Sequence, residues 1–378
     1  MAELNINIKG TFLSGRGKIE KLPGFLRKDC RRVVIVRDPN TPEDIAADIS
    51  SILPKKGVDC VFYTDITSKS TSRDAETLVN FIKTGFVQCV IGFGGQTVVN
   101  IAKISTFAAA NNLSIDDILD GTANISGLNL KSSKETIDYI EIPSSIRNPL
   151  IFTPFVYVTD SRNKSLKIID IKNHPGLIIK DSSIFDKLPK VSVDSICFEL
   201  FLIMFEVLVS KEKHYFTNSL VTEPLIKLFN ALVKEDYLSM DDHSNIALCS
   251  DYAYSIHGPG IIYYIALVLN SMLGVPVSIA STIILPHIIE YYSEFSPETI
   301  KSVIGKIYND PSIDIEDFVE TLRKIIKKRN LPMRFSEVDI KKDKFLNTIP
   351  FISQYPDIIK NSCNLEESKI TSILYNAL

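Results

Sequence analysis

Residues 87–103 read VQCVIGFGGQTVVNIAK. An apolar run through Cys89, Val90 and Ile91 ends in a Gly-rich corner, Gly92-Phe93-Gly94-Gly95. From about Thr97 the chain reads as a helix that Val98, Val99, Ile101 and Ala102 can pack. This is a strand, a tight turn and a helix N-terminus. Residues without side chains at such a corner let backbone N–H groups approach a phosphate, and the helix dipole favours an anion there.

Composition bounds what this corner can belong to. A chain of 378 residues with 45% hydrophobic content can bury an ample core, and its length predicts two domains. A net charge of −3 gives no electrostatic reason to expect nucleic acid or an anionic membrane as partner. Small-molecule chemistry is the expectation. The cysteines, Cys30, Cys60, Cys89, Cys197, Cys249 and Cys363, form no C-x-x-C pair, which fits a reducing compartment rather than a disulfide frame or zinc ribbon. The opening MAELNINIKG has no apolar core of a signal peptide, and the apolar runs near Phe198–Val209 and Gly260–Leu269 read as buried helices, not membrane spans. The expectation is a cytoplasmic, enzyme-like protein.

Outward from the corner, strands alternate with amphipathic helices. Val33–Val36 and Cys60–Tyr63 are short strands; Thr41–Ile52 and about Ser72 to Lys83 carry helical spacing. Short loops between them predict a parallel sheet covered on both faces, with ligands at the carboxyl ends of its strands. Asp38 falls at such an end, where a carboxylate can accept hydrogen bonds from both hydroxyls of an adenosine ribose. Asp38-Pro39-Asn40 reads equally as a turn with a cap. GTANISGLNLKSSKE, from Gly121, reads as an exposed excursion, Ile140–Pro143 as a strand end, and Ile151–Ile179 as strands around the turn at 160–164. From Ser192 onward the period is helical. The fold class is therefore α/β, with residues 1–189 a nucleotide-binding domain and residues 190–378 an all-helical one.

G-G-Q-T-x-x-N-I-A-K resembles the G-G-G-S-x-x-D-x-A-K loop of the iron-containing alcohol dehydrogenases, in the superfamily that also holds dehydroquinate synthase. Gln96, Thr97 and Asn100 depart from it. Phe12-Leu13-Ser14-Gly15-Arg16-Gly17 with Leu22 is similar to the family's opening segment, and Arg37-Asp38-Pro39-Asn40 to its T-D-P-G. The resemblance implies NAD rather than NADP, selected by Asp38, with Gly94, Gly95, Gln96, Thr97, Ser144 and Ser145 around the cofactor. In the second cofactor lip, I-P-T-T-A-G-T-G-S-E in the family, Arg147 and Pro149 replace glycines. Arg147 then either fills part of the nicotinamide channel, adds a cation for an anionic ligand, or is a surface residue.

The family also implies a divalent metal held by one Asp and three His. Aligning Val193–Phe198 with M-D-A-L-T-H, Gly258–Tyr263 with G-x-G-x-x-H and Val275–Ser278 with x-P-H-G leaves Asp194 as the only ligand. Phe198, Tyr263 and Val277 stand at the histidine positions and Leu267 at a further one. Phe and Val carry no donor atoms, so no metal is expected. This register predicts those three side chains clustered around Asp194, with Tyr263 as its hydrogen-bond donor. His174 and His214 read as residues of polar surface turns, His243 lies among Asp241, Asp242 and Ser244, and His287 follows Pro286; none has a partner at ligand spacing. His257 or Tyr263, with Tyr264 as an alternative, could supply a proton to a carbonyl oxygen; the plainer reading of His257, a capping or loop residue, is the one its sequence favours. Two functions follow: a metal-independent or impaired NAD(P)-linked oxidoreductase acting on an alcohol or carbonyl, or a silent relative serving as nucleotide-binding scaffold. A lyase like dehydroquinate synthase also needs a metal. Substrate and partner stay open, and a homodimer is compatible with the resemblance.

Overall fold

A computed structural model describes residues 10–37, 41, 43–53, 57–67, 69–123, 137–172, 174–210, 214–234, 238–258, 260–353 and 366–378. Asp38 and most of the Gly121 excursion lie outside them. The chain divides after Leu188 into two compact units.

The first unit is built on a parallel sheet. Its strands are β1 (Thr11–Ser14), β2 (Arg32–Val36), β3 (Asp59–Tyr63), β4 (Cys89–Gly94) and β5 (Asp138–Pro143), followed by a hairpin, β6 (Phe155–Thr159) and β7 (Leu166–Asp170), and then β8 (Leu177–Lys180). The sheet order is β1-β8-β5-β4-β2-β3, with β6 and β7 paired separately and antiparallel. Helices α1 (Glu43–Ile52), α2 (Ser72–Thr84), α3 (Gln96–Asn111), α4 (Ile115–Leu119) and α5 (Ser182–Phe185) complete it. From β2 the chain steps out to β3, then returns past β2 to β4. That reversal puts the carboxyl ends of β2 and β4 at the switch point of the sheet, where open α/β sheets bind their ligands.

Each strand of the sheet interior is apolar because both faces are covered. Val34, Val36 and Val90 pack with α2 and α3, whose buried side chains include Leu78, Val79, Ile101 and Ala102. Thr71 and Asp74 start α2 with a reciprocal capping box. The corner at Gly94 is steric: a Cβ there would lie 2.6 Å from Val98 Cβ, so α3 folds back against β4 only because position 94 is bare. Gly92 is nearly as constrained, its Cβ position lying 3.0 Å from the Tyr139 hydroxyl and 3.1 Å from Ala102 Cβ.

The second unit is helical: α6 (Lys190–Val209), α7 (Tyr215–Lys234), α8 (Met240–His257), α9 (Ile261–Leu273), α10 (Val277–Phe295), α11 (Pro297–Tyr308), α12 (Ile315–Lys328), α13 (Lys342–Leu346), α14 (Ile349–Ser353) and α15 (Glu367–Asn376). Helix α6 is buried from Val193 to Val209, because α7, α8 and α10 all pack against it. On one side Phe201 meets Phe229 and Phe318 at ring separations of 6.1 and 6.2 Å. Among the described residues no helix is long and apolar enough to cross a membrane.

Replacing Gly94 by Ala should cost ~1–3 kcal/mol by forcing α3 off β4. Chemical denaturation of the variant, showing a lower midpoint with an unchanged slope, checks this; an unchanged midpoint would refute the close approach.

Candidate functional site

The corner after β4 has the two properties an anion site needs. Gly95 caps α3 with φ −71° and ψ −178°, a conformation any residue adopts, and among the described residues a Cβ built there meets no atom within 4 Å. Neither the backbone nor packing by the described residues explains a glycine at 95. The space it leaves open stands directly over the N-terminus of a sixteen-residue helix. Thr97 is half-buried beside it, as are Ser144 and Ser145 in the loop after β5, and that loop begins with the Ser144 N–H donating to Gly94 O at 2.9 Å.

The loop after β5 is fastened to α3 by polar side chains. Arg147 is buried, which excludes the surface reading, and its Nη1 donates to Gln96 Oε1 at 3.0 Å. Two departures from the family motif are thus bonded to each other. Asn100 Nδ2 donates to Gln96 O at 2.7 Å and its Oδ1 accepts from the Tyr157 N–H at 3.1 Å, so this position uses both an amide donor and an acceptor. Lys103 Nζ donates to Thr153 O at 2.5 Å and Phe155 O at 3.3 Å. Burial pulls the Lys103 ammonium down to about 8, against the opposing charges of Glu141 and Asp170. Glu141 accepts from Asn148 Nδ2 at 2.5 Å.

In the helical unit the structure corrects the surroundings expected for Asp194. Its carboxylate is buried and accepts from Arg329, just beyond α12, not from Tyr263. Asp194 also lines a cavity of about 410 Å³ with Leu232, Ile325 and Arg329. The α6 face that meets α9 and the start of α10 lies elsewhere around the helix. Ser195 Oγ donates to Ser278 Oγ at 3.0 Å, next to Val277. One turn along that face comes Glu199, about 140° around the helix from Asp194. Both Glu199 and Glu206 are buried. Glu206 Oε1 accepts from the Ile262 N–H at 3.1 Å, capping α9, and a Cβ on Gly260 would fall 2.1 Å from the Glu206 carboxylate. Tyr263 is fully buried, its ring edge-on to Tyr254 at 5.5 Å. Burial, then the charge of Glu206 and more weakly that of Glu199, push the Tyr254 hydroxyl well above its ordinary range, while a Gly260 N–H pulls the other way.

Glu199 and Glu206 are the residues that sequence reasoning missed. Their signal is two carboxylates seven residues apart, hence on one face, in an otherwise apolar helix. Taking the family's D-x-x-x-H from Glu199 gives Glu199-x-x-x-Ile203, which gains no histidine. Neither register supplies a donor set that fits a catalytic transition metal. Among the described residues no group of three His, Cys, Asp or Glu side chains is placed to hold one.

The remaining candidates fall as follows. His257 ends α8, is buried, and has Nδ1 3.2 Å from Gly258 O. The Tyr264 hydroxyl donates to Phe351 O at 3.4 Å, and burial raises it to about 12. His243 is buried, and burial lowers its pKa. His287 has Glu290 as a partner at 3.6 Å.

The chain thus consists of a parallel α/β unit followed by an all-helical unit. Residues 10–182 match the model of the iron-containing alcohol dehydrogenases, and residues 206–378 match that of the family's C-terminal domain. The chain belongs to the iron-containing alcohol dehydrogenase family. It is 21% identical over 273 residues to an NADPH-dependent butanol dehydrogenase of Clostridium saccharobutylicum, covering 70% of this chain and 69% of that one. The NADH-dependent butanol dehydrogenase A of Thermotoga maritima superposes with a TM-score of 0.84 at 16% identity, over 99% of this chain and 98% of the other. An alcohol dehydrogenase from Oenococcus oeni gives 0.84 at 16% identity over the whole of both chains.

Burial raises the Glu206 carboxyl from 4.5 to about 7, against hydrogen bonds from the Ile262 and Tyr263 N–H groups. An acid whose folded pKa lies above its unfolded one stabilises fully below the unfolded value, and that stability is lost as pH rises through the folded value. Between about pH 4.5 and 7 this group should remove about 3 kcal/mol from the unfolding free energy. Glu206→Gln should flatten that part of the profile; an identical slope in the variant would show that the carboxyl does not titrate there.

Proposed function

We propose that this chain is an NAD(H)-binding oxidoreductase of the alcohol and carbonyl class whose chemistry runs, impaired, without a resident metal. The observation that carries the nucleotide half is Gly95: a glycine that its own fold does not require, over a helix N-terminus. There the first N–H groups of α3 would hold the pyrophosphate, with Ser144 and Ser145 as further donors. Asp38, at the end of β2, is the proposed selector of NAD over NADP. The bound nicotinamide would supply or accept the hydride.

Without a Lewis acid, the developing charge on the substrate oxygen has to be met by a proton, and Tyr263 and His257 are the proposed donors. Burial, then Glu206 and more weakly Glu199, raise the cost of ionising Tyr254, whose ring packs edge-on against Tyr263. The second reading, a catalytically silent nucleotide-binding protein, is favoured by the full burial of Tyr263. The reduction of an aliphatic aldehyde in the presence of chelator separates the two.

Fluorescence titration with NADH should saturate for the natural chain and weaken at least tenfold in Gly95→Val. The same variant should lose at most ~1 kcal/mol of stability, the difference between capping residues. Chelator-resistant oxidation of NADH by butanal, reduced in Tyr263→Phe or His257→Gln, supports the oxidoreductase. Saturable NADH binding with no turnover supports the silent reading, and tighter binding of NADPH would reject Asp38 as selector.

A further inference from the structure

The geometry points to a second binding site, within the helical unit, where α7 and α11 hold a small oxyanion of the phosphate type between them. Spacing supplies the first argument. Asn218 and Thr222 stand at i and i+4 on α7, and Thr299, Ser302 and Lys306 at i, i+3 and i+7 on α11, so each set shares one helix face. Both faces line a single cavity of about 120 Å³. Helix faces that meet are ordinarily apolar, and here each turns polar side chains towards the space between them.

The second argument is that these groups do not satisfy one another. Thr222 Oγ1 donates within its own helix, to Asn218 O at 2.7 Å. The side chains of Asn218, Thr299, Ser302 and Lys306 bond to no described residue. Asn218 Oδ1 is also shut off from solvent, and a buried acceptor without a partner is costly unless something enters to donate to it. Leu225 and Val303, which line the same cavity, are buried, and their apolar surface strengthens any charge interaction made there.

Charge selects the ligand. Among the described residues that line the cavity, Lys306 is the only charged one, so an anion is favoured and a cation is not. The Thr299 and Ser302 hydroxyls can donate to anionic oxygens, whereas Asn218 Oδ1 needs a donor on the same molecule. Protonated phosphate carries both. Sulfate has the charge without the proton. A cavity of this volume holds several waters, and so one phosphate group. All its lining residues belong to the helical unit, so the site stands whether or not the Gly95 corner holds a nucleotide.

Calorimetric titration with inorganic phosphate near neutral pH tests this without any turnover. The natural chain should bind phosphate saturably and roughly fivefold more tightly than sulfate, and Lys306→Gln should weaken phosphate about tenfold. Lys306→Arg, which keeps the charge, should retain most of the affinity. Asn218→Asp, which sets a carboxylate where the amide stands, should abolish binding. Should Asn218→Asp fail to fold, the exposed position 306 carries the test, with thermal unfolding confirming that its variants are native. Glycerol phosphate binding more tightly than phosphate, with the same loss in Lys306→Gln, would identify the ligand as a phosphate monoester and support the site. Phosphate affinity unchanged in Lys306→Gln places the anion elsewhere on the chain and overturns the proposal. No saturable binding to the natural chain overturns it as well, and so does tighter binding of glycerol than of phosphate. Equal affinity for sulfate overturns the part given to Asn218.

Discussion

The contact on which the first unit depends is the approach of α3 to β4 at Gly94, where a single methyl group would collide with Val98. Because the helix begins that close to the strand, its first N–H groups emerge at the sheet's switch point, and Gly95 can stay uncovered. Behind it, polar ties from Gln96 and Lys103 fasten the loop after β5 to α3, and Asn100 ties α3 to β6. One glycine thus serves packing and its neighbour serves access. The substitutions at 94 and 95 separate those roles by their effects on stability and on binding.

Much of this unit was legible because its signals are local. The runs at Val33–Val36, Cys60–Tyr63 and Gln88–Ile91 lie within or one residue beyond β2, β3 and β4; β2 and β4 are apolar throughout because both their faces are covered, while the edge strand β3 is betrayed by its β-branched and aromatic residues. Helix α2 was bounded by its own capping residues. The pairing of Gln96 with Arg147 was not legible: it joins positions 51 residues apart, and each alone reads as a motif defect.

The helical unit shows the opposite limit. The apolar residues of helix α6 run around its whole circumference because neighbours cover it, so they carry no phase. The motif alignment expected Tyr263 beside Asp194, whereas the fold turns that carboxylate to Arg329. Only long-range contacts reveal it: Arg329 meeting Asp194, and Ser278 meeting Ser195. The charged residues that break such a helix are better guides than motif spacing, since each buried carboxylate must be matched by something. Here Glu206 is matched by the N-terminus of α9 and Asp194 by a guanidinium.

On the proposed function, the chemistry is asymmetric within the family scaffold: the corner at Gly95 would hold the nucleotide, whereas the positions aligned with the family's ligands carry Tyr263, Val277 and a phenylalanine or isoleucine. The most direct measurement is the metal content of the chain after anaerobic incubation with Fe(II) or Zn(II) and removal of free ions, read by mass spectrometry of the elements. The account predicts metal far below one equivalent per chain for both ions, with NADH binding unaffected by the treatment. One tightly held ion per chain, lost in Glu199→Ala or Asp194→Ala, would contradict it.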